Sequence, residues 1–128
     1  MNVLLAAVVM LALVGYADAE TNVPRLGVDF TFGSKHKCQG ISPEIRLSNV
    51  PGGVASYEIT LTDLDVPSFH HWKQTLPASG LIIQEGAGSG YFGPCPPSGT
   101  HRYEIRVVAR DGENHVVATG EKVLVTGR

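Results

Sequence analysis

Residues 103–110, Tyr103-Glu104-Ile105-Arg106-Val107-Val108-Ala109-Arg110, decide the fold class of this chain. Apolar side chains occupy every odd position, and charged side chains occupy three of the four even positions. Successive side chains of a β-strand point to opposite faces, so this alternation predicts a strand with one buried face and one solvated face. Residues 57–62 alternate in the same way and predict a second such strand.

Five further segments are predicted strands because they are rich in β-branched residues and are bounded by Gly, Pro, Asn or Ser. They comprise residues 28–32, 44–48, 71–76, 81–84 and 115–126. After residue 19, no window longer than about ten residues carries an apolar stripe with helical spacing. The sequence therefore predicts an all-β sandwich, or a small barrel-like pair of sheets, with little helix.

Residues 1–19 are typical of an export signal. Residues 3–14 form an unbroken apolar run, and Ala17-Asp18-Ala19 offers the small residues that a signal peptidase requires. The run is too short to span a bilayer. We therefore expect residues 20–128 to form one exported domain that is not transmembrane and resides in the periplasm or outside the cell.

Charge and cysteine content narrow the function classes. The chain has ten Lys and Arg and twelve Asp and Glu, without long runs of either sign. It therefore lacks the clustered positive charge that is typical of a nucleic-acid-binding protein.

Cys38 and Cys95 are the only cysteines. In an exported protein they form either a disulfide or two buried free thiols, and the sequence leaves both open.

Residues 63–72, DLDVPSFHHW, concentrate titratable groups at a predicted strand end. Continued alternation places Asp63 and Asp65 on the inward side. His70 and His71 are adjacent and point to opposite faces of a strand, so at most one joins the aspartates, and no metal site is predicted.

Catalysis is the second interpretation of this region, with Ser68, His71 and His101 as candidate parts. No Gly-x-Ser-x-Gly elbow is present, and no spacing marks an activated nucleophile. Prolines in the loop at residues 93–97 lack N–H groups, which an oxyanion hole would need. The sequence therefore favours a non-enzymatic role.

A binding pocket is the third interpretation, because binding residues collect where strands meet loops. Asp63-x-Asp65-x-Pro67, His71-Trp72 and the segment at residues 99–103 all lie at such junctions. Arg102 either contacts a ligand there or pairs with Asp65 to hold two loops together.

Four blocks occur in order along the chain: SPEIRLSNVP at 42–51, DLDVPS at 63–68, HW at 71–72 and GPCPPSGTHRY at 93–103. Together they resemble the phosphatidylethanolamine-binding protein family, which includes Raf kinase inhibitor protein and its bacterial homologues. Residues 115–120 resemble the family's closing strand. The resemblance implies a β-sandwich with a small cavity at one end for phosphate- or carboxylate-bearing ligands, including a phospholipid head group.

The resemblance also implies roles for individual residues. It assigns ligand contacts to Asp63, His71, Cys95, Pro96, His101 and Tyr103, and support of the site to Asp65, Pro67 and Arg102. It implies no cofactor and no metal. The expected function is an exported, non-enzymatic binding protein for a small anion. The alternatives are a protein-interaction or enzyme-inhibitor module acting through the pocket rim, and an uncharacterised hydrolase.

The chain departs from the family pattern at several places. Leu64 replaces the proline between the two acids, and Leu47 stands where many relatives have Trp. Only a tight turn lies between Arg110 and His115, where the family has a longer connection with a helix, and residues 78–90 are fewer than usual. Functions that depend on those elements, such as a lid over the pocket, are therefore not expected.

Overall fold

The computed structural model describes residues 22–128, so the predicted signal segment lies outside the described residues. Antiparallel pairing connects all the named strands. In chain order the elements are β1 (Gly27–Asp29), a 3₁₀ turn (Ser34–His36), β2 (Ile45–Ser48), β3 (Val54–Asp63), β4 (Trp72–Pro77), β5 (Ile82–Ile83), β6 (His101–Asp111) and β7 (Val116–Thr126).

The strands form two sheets, one with the order β1-β2-β5 and one with the order β4-β3-β6-β7. This architecture confirms the predicted all-β fold with little helix. Two strands are shorter than predicted: β1 ends at Asp29 instead of residue 32, and β5 has only two residues. The cause of the first difference is that Phe30 leaves the pairing with β2 and is buried in the core.

The core lies along the inward faces of β3 and β6. Burial alternates along β3, and Ile59 and Ile105, which are fully buried, represent the apolar face of each strand. Burying one such side chain stabilises the fold by about 1.5–3 kcal/mol. Alternation continues to the end of β3, so Asp63 is also buried, opposite Tyr103 of β6.

The inward placement predicted for Asp65 is wrong. β3 ends at Asp63, and the backbone amides of Asp65 and Val66 both donate to the Asp63 carboxylate Oδ1, at 2.8 and 3.1 Å. This side-chain-to-backbone turn ends the strand alternation. As a result, the Asp65 carboxylate lies at the surface.

A tight hairpin turn joins β6 and β7, as the sequence predicts. Asp111 Oδ1 accepts hydrogen bonds from the amides of Glu113 and His115, both at 2.9 Å, and Asn114 adopts a left-handed conformation with φ 66°. At the other end of this hairpin, β6 begins and β7 ends beside the candidate site.

Among the described residues, no helix has the length and apolar character needed to cross a membrane.

Candidate functional site

A cavity of about 440 Å³ lies where β3 ends and where β4 and β6 begin. Its lining combines five polar or charged side chains with apolar ones and one cysteine: Asp63, Val66, Phe69, His71, Phe92, Cys95, Pro96, Pro97, His101, Tyr103 and Arg128. All six residues that the resemblance assigns to ligand contact line this cavity. Residues distant in sequence meet here because β3 pairs with both β4 and β6.

Asp63 is buried, and its carboxylate is bonded within the protein. Oδ1 accepts the two amide hydrogen bonds of the strand-ending turn, and Oδ2 lies 2.6 Å from His101 Nδ1. Burial raises the pKa of Asp63, but the hydrogen bonds from His101 and from the two amides outweigh burial and hold the pKa below its ordinary value of 3.8. Asp63 is therefore a carboxylate at neutral pH, and His101 Nδ1 carries the proton that it donates.

His71 is also buried, and two hydrogen bonds fasten it to Phe92. His71 Nδ1 lies 2.8 Å from the Phe92 carbonyl oxygen, and the Phe92 amide donates to the His71 carbonyl at 2.9 Å. A carbonyl oxygen only accepts, so His71 Nδ1 carries a proton. In both histidines, Nε2 is therefore the ring nitrogen without a protein partner among the described residues, and it is the one left for a ligand.

Tyr103 is fully buried, and its hydroxyl makes no hydrogen bond of good geometry within the described residues, although the Cys95 amide and the Asp63 carboxylate lie near it. Burial, with a smaller contribution from the nearby Asp63 carboxylate, raises the pKa of Tyr103 to about 12. The hydroxyl therefore keeps its proton at neutral pH. The Tyr103 ring stacks with His101 at 6.3 Å between centroids and meets His71 edge to face at 5.5 Å, so these three polar side chains converge at one point of the cavity.

A disulfide between Cys38 and Cys95 holds one wall of the cavity. This resolves the alternatives that the sequence left open in favour of the disulfide. Three hydrogen bonds reinforce the same contact: Cys38 N to Pro94 O at 3.1 Å, Gly93 N to Cys38 O at 2.7 Å, and the Tyr91 hydroxyl to His36 O at 2.7 Å. The proline-containing loop is thus fixed against the segment around Cys38.

The residues assigned to support lie outside the lining. Arg102 donates from Nη2 and Nε to Asp65 Oδ1 at 3.0 and 3.3 Å, and its amide donates to Asp65 Oδ2 at 2.7 Å. This pair joins the loop after β3 to the start of β6, which matches the bracing alternative. Pro67 lies in that loop, and His70 is exposed beside it.

Sequence reasoning missed five lining residues. Val66 and Pro97 lie within the recognised motifs, and Phe69 and Phe92 lie next to them; their hydrophobicity beside polar residues was the available signal. Arg128 has no such signal, because it reaches the cavity only through the pairing of β7 with β6. Within residues 22–128, no group of three or more His, Cys, Asp or Glu side chains is arranged to hold a metal ion.

Comparison with known proteins gives a consistent result. The family model for phosphatidylethanolamine-binding proteins matches residues 18–126. A UPF0098 protein of Methanothermobacter thermautotrophicus is 33% identical over 61% of this chain and 67% of its own length. The UPF0098 protein YbhB of Escherichia coli is 31% identical over 74% of this chain and 75% of its own length.

A solved structure is similar as well. The crystal structure of a phosphatidylethanolamine-binding protein homologue from Chlamydia trachomatis superposes with a TM-score of 0.65 at 26% sequence identity. The superposition covers 84% of this chain and 99% of that chain.

Proposed function

The chain belongs to the phosphatidylethanolamine-binding protein family, and from this premise we propose that it is a non-enzymatic binding protein for small anions that carry a phosphate or carboxylate group. The observation that carries the proposal is the buried Tyr103 hydroxyl, which lines the cavity and makes no hydrogen bond of good geometry among the described residues. Leaving such a group unpaired costs about 1–3 kcal/mol of stability. A ligand oxygen that accepts from this hydroxyl recovers that cost.

The two histidines give the binding a definite pH dependence. A neutral imidazole that donates through Nδ1 presents only a lone pair at Nε2, and a lone pair repels an oxyanion. Protonation turns Nε2 of His71 or His101 into a donor. Anion affinity should therefore rise when acidification adds a proton to either ring.

The lining supports binding over nucleophilic catalysis. In the part of the chain that the structure describes, the cavity is lined by no serine or threonine, and its cysteine is in a disulfide. The His101–Asp63 pair therefore has no neighbouring hydroxyl or thiol nucleophile of the usual kind to activate. Any turnover that His71→Ala or Asp63→Ala abolished would instead favour the hydrolase alternative.

Titration calorimetry with inorganic phosphate, phosphoethanolamine and acetate tests the proposal. We expect Tyr103→Phe to weaken binding of at least one anion about tenfold or more, because it removes a hydrogen bond to a charged group. His71→Ala should do the same at acidic pH, where a protonated His71 donates from Nε2. Tyr57→Phe is the matched control, since the Tyr57 hydroxyl donates to Gly80 O away from the cavity. Equal affinities for wild type, Tyr103→Phe and His71→Ala would contradict the proposal.

A protein-interaction role at the rim is the second candidate. Val66 and Phe69 line the cavity yet are 41% and 48% exposed, so they offer apolar surface at its mouth. A partner that binds there should be lost with Val66→Ser or Phe69→Ser and retained with Tyr103→Phe. Anion binding should show the opposite pattern.

Export to the periplasm or the outside medium is part of the same proposal. The disulfide supports it, because disulfides persist in oxidising compartments. Intact mass of the protein recovered from its own cells tests this directly. Cleavage after Ala19 is the expected result, and a full-length chain in the cytoplasmic fraction would contradict it.

A further inference from the structure

The charged groups around the cavity favour an anion only if a cationic side chain near the cavity is not already paired with another group of the protein. Asp63 brings a negative charge, and its carboxylate is already bonded to His101 and to two backbone amides. The Tyr103 hydroxyl is neutral. An anion that enters while both histidines are neutral therefore needs a positive charge from another part of the chain.

Three cationic side chains lie close to this end of the sheet, and two of them are engaged. Arg102 forms its ion pair with Asp65. The Lys37 ammonium donates to the Thr126 hydroxyl and to the Gly127 carbonyl. The third, Arg128, lines the cavity and has no ion pair or hydrogen bond with any other described residue.

The backbone before Arg128 is held in place by several contacts. Thr126 pairs with His101 in the register between β6 and β7, which puts the following residues beside the cavity. Gly127 packs so closely on the turn before β6 that a Cβ there would lie 3.0 Å from Gly99 O. With the Lys37 hydrogen bonds on the other side, this segment is fixed up to the residue that carries the guanidinium.

We infer that Arg128 is an anion-binding residue of this cavity and supplies its permanent positive charge. The inference rests on the proposed function and names a contact that the family motifs do not contain. A guanidinium stays charged throughout the physiological pH range and presents parallel N–H donors that match the oxygens of a phosphate or carboxylate. Tyr103 and the two histidines orient the anion, and Arg128 compensates its charge.

Calorimetry with inorganic phosphate at about 0.1 M salt tests the inference in the full chain. Arg128→Gln should weaken phosphate binding about ten- to hundredfold, since a hydrogen bond to a charged group is at stake. Arg128→Lys should recover part of the affinity, because lysine restores the charge without the planar pair of donors.

Arg46→Gln is the matched control. It removes the same charge from β2, in the other sheet, from a residue that does not line the cavity. We expect its affinity to stay within about twofold of wild type, because Arg46 does not line the cavity, is paired with Glu44, and has an exposed charge that salt screens.

Equal weakening by Arg128→Gln and Arg46→Gln, or no weakening by Arg128→Gln, would overturn the role of Arg128. If Tyr103→Phe still weakens binding in that case, the proposed function stands without it. If the wild-type protein binds none of phosphate, phosphoethanolamine and acetate, the proposed function and this inference both fail.

Discussion

Removing the disulfide by the double substitution Cys38→Ser and Cys95→Ser should cost a large part of the protein's stability. The bond joins residues that are 57 positions apart. In the chain-entropy description, a loop of this length removes about 14 cal/mol/K from the unfolded state, which corresponds to about 4 kcal/mol at 25 °C. Since domains of this size are stable by only about 5–15 kcal/mol, the expected loss is substantial.

The folded structure should survive this change with its cavity in place. The hydrogen bonds of Cys38 N to Pro94 O and of Gly93 N to Cys38 O hold the two segments together without the sulfur bond. We therefore expect the loss to act on the unfolded state and the folded double variant to bind phosphate within a few-fold of wild type. Replacing cysteine by serine changes the side-chain volume little at either position.

Urea unfolding followed by tryptophan fluorescence measures the effect. Trp72 is buried and its indole N–H donates to Ser89 O, so its fluorescence should change when the protein unfolds. With a slope of about 2 kcal/mol per molar, the midpoint should fall by about 2 M urea at unchanged slope. Wild type reduced with excess dithiothreitol serves as the control and should unfold at the same urea concentration as the double variant. A loss below about 1 kcal/mol would refute the loop-entropy reasoning.

Two further predictions concern stability. The pKa of Asp63 is lower in the folded protein than its ordinary value of 3.8, so its stabilisation is present above that value and is lost as the pH falls below it. Asp63→Asn should therefore show a smaller drop in unfolding free energy between pH 7 and pH 3 than wild type, and an undiminished drop would contradict this reasoning. Gly120→Ala should cost about 1–3 kcal/mol in thermal or urea unfolding, because its Cβ would lie 2.4 Å from the backbone oxygen of Leu26. Gly112→Ala is the control and should be close to neutral, because a Cβ there would have nothing within 4 Å. Similar losses of stability in the two variants would argue against the close contact at Gly120.

The fold class could be predicted because alternation along β3 and β6 is a local property of each strand. Strand ends were harder to predict, since they depend on pairing partners and on side-chain-to-backbone bonds. Asp65 is the clearest example: alternation alone places it inward, but the Asp63 carboxylate captures the next two amides and ends the strand. An aspartate followed by a proline four positions later was a turn signal that outweighed the alternation.

The residues of the candidate site also fall into two groups: those that the local sequence marks, and those that only the pairing of strands brings to the cavity. Motif residues such as His71 and Tyr103 could be assigned from the resemblance because each occupies a recognisable place at a strand end. Arg128 could not, because nothing near it in the sequence marks it, and it reaches the cavity only when β7 pairs with β6 over its full length. Long-range register of this kind is a property of the folded sheet.

The contacts of Asp63 change its expected role from ligand contact to positioning. One of its oxygens accepts two amides, and the other accepts from His101 Nδ1, so little capacity is left for a ligand. The carboxylate instead fixes the His101 tautomer, so that Nε2 is the ring atom with no partner among the described residues. If that ring takes up a second proton, Nε2 becomes a donor for an oxyanion. The buried negative charge of Asp63 is thus consistent with the proposed anion binding, because Asp63 acts on the ligand through His101.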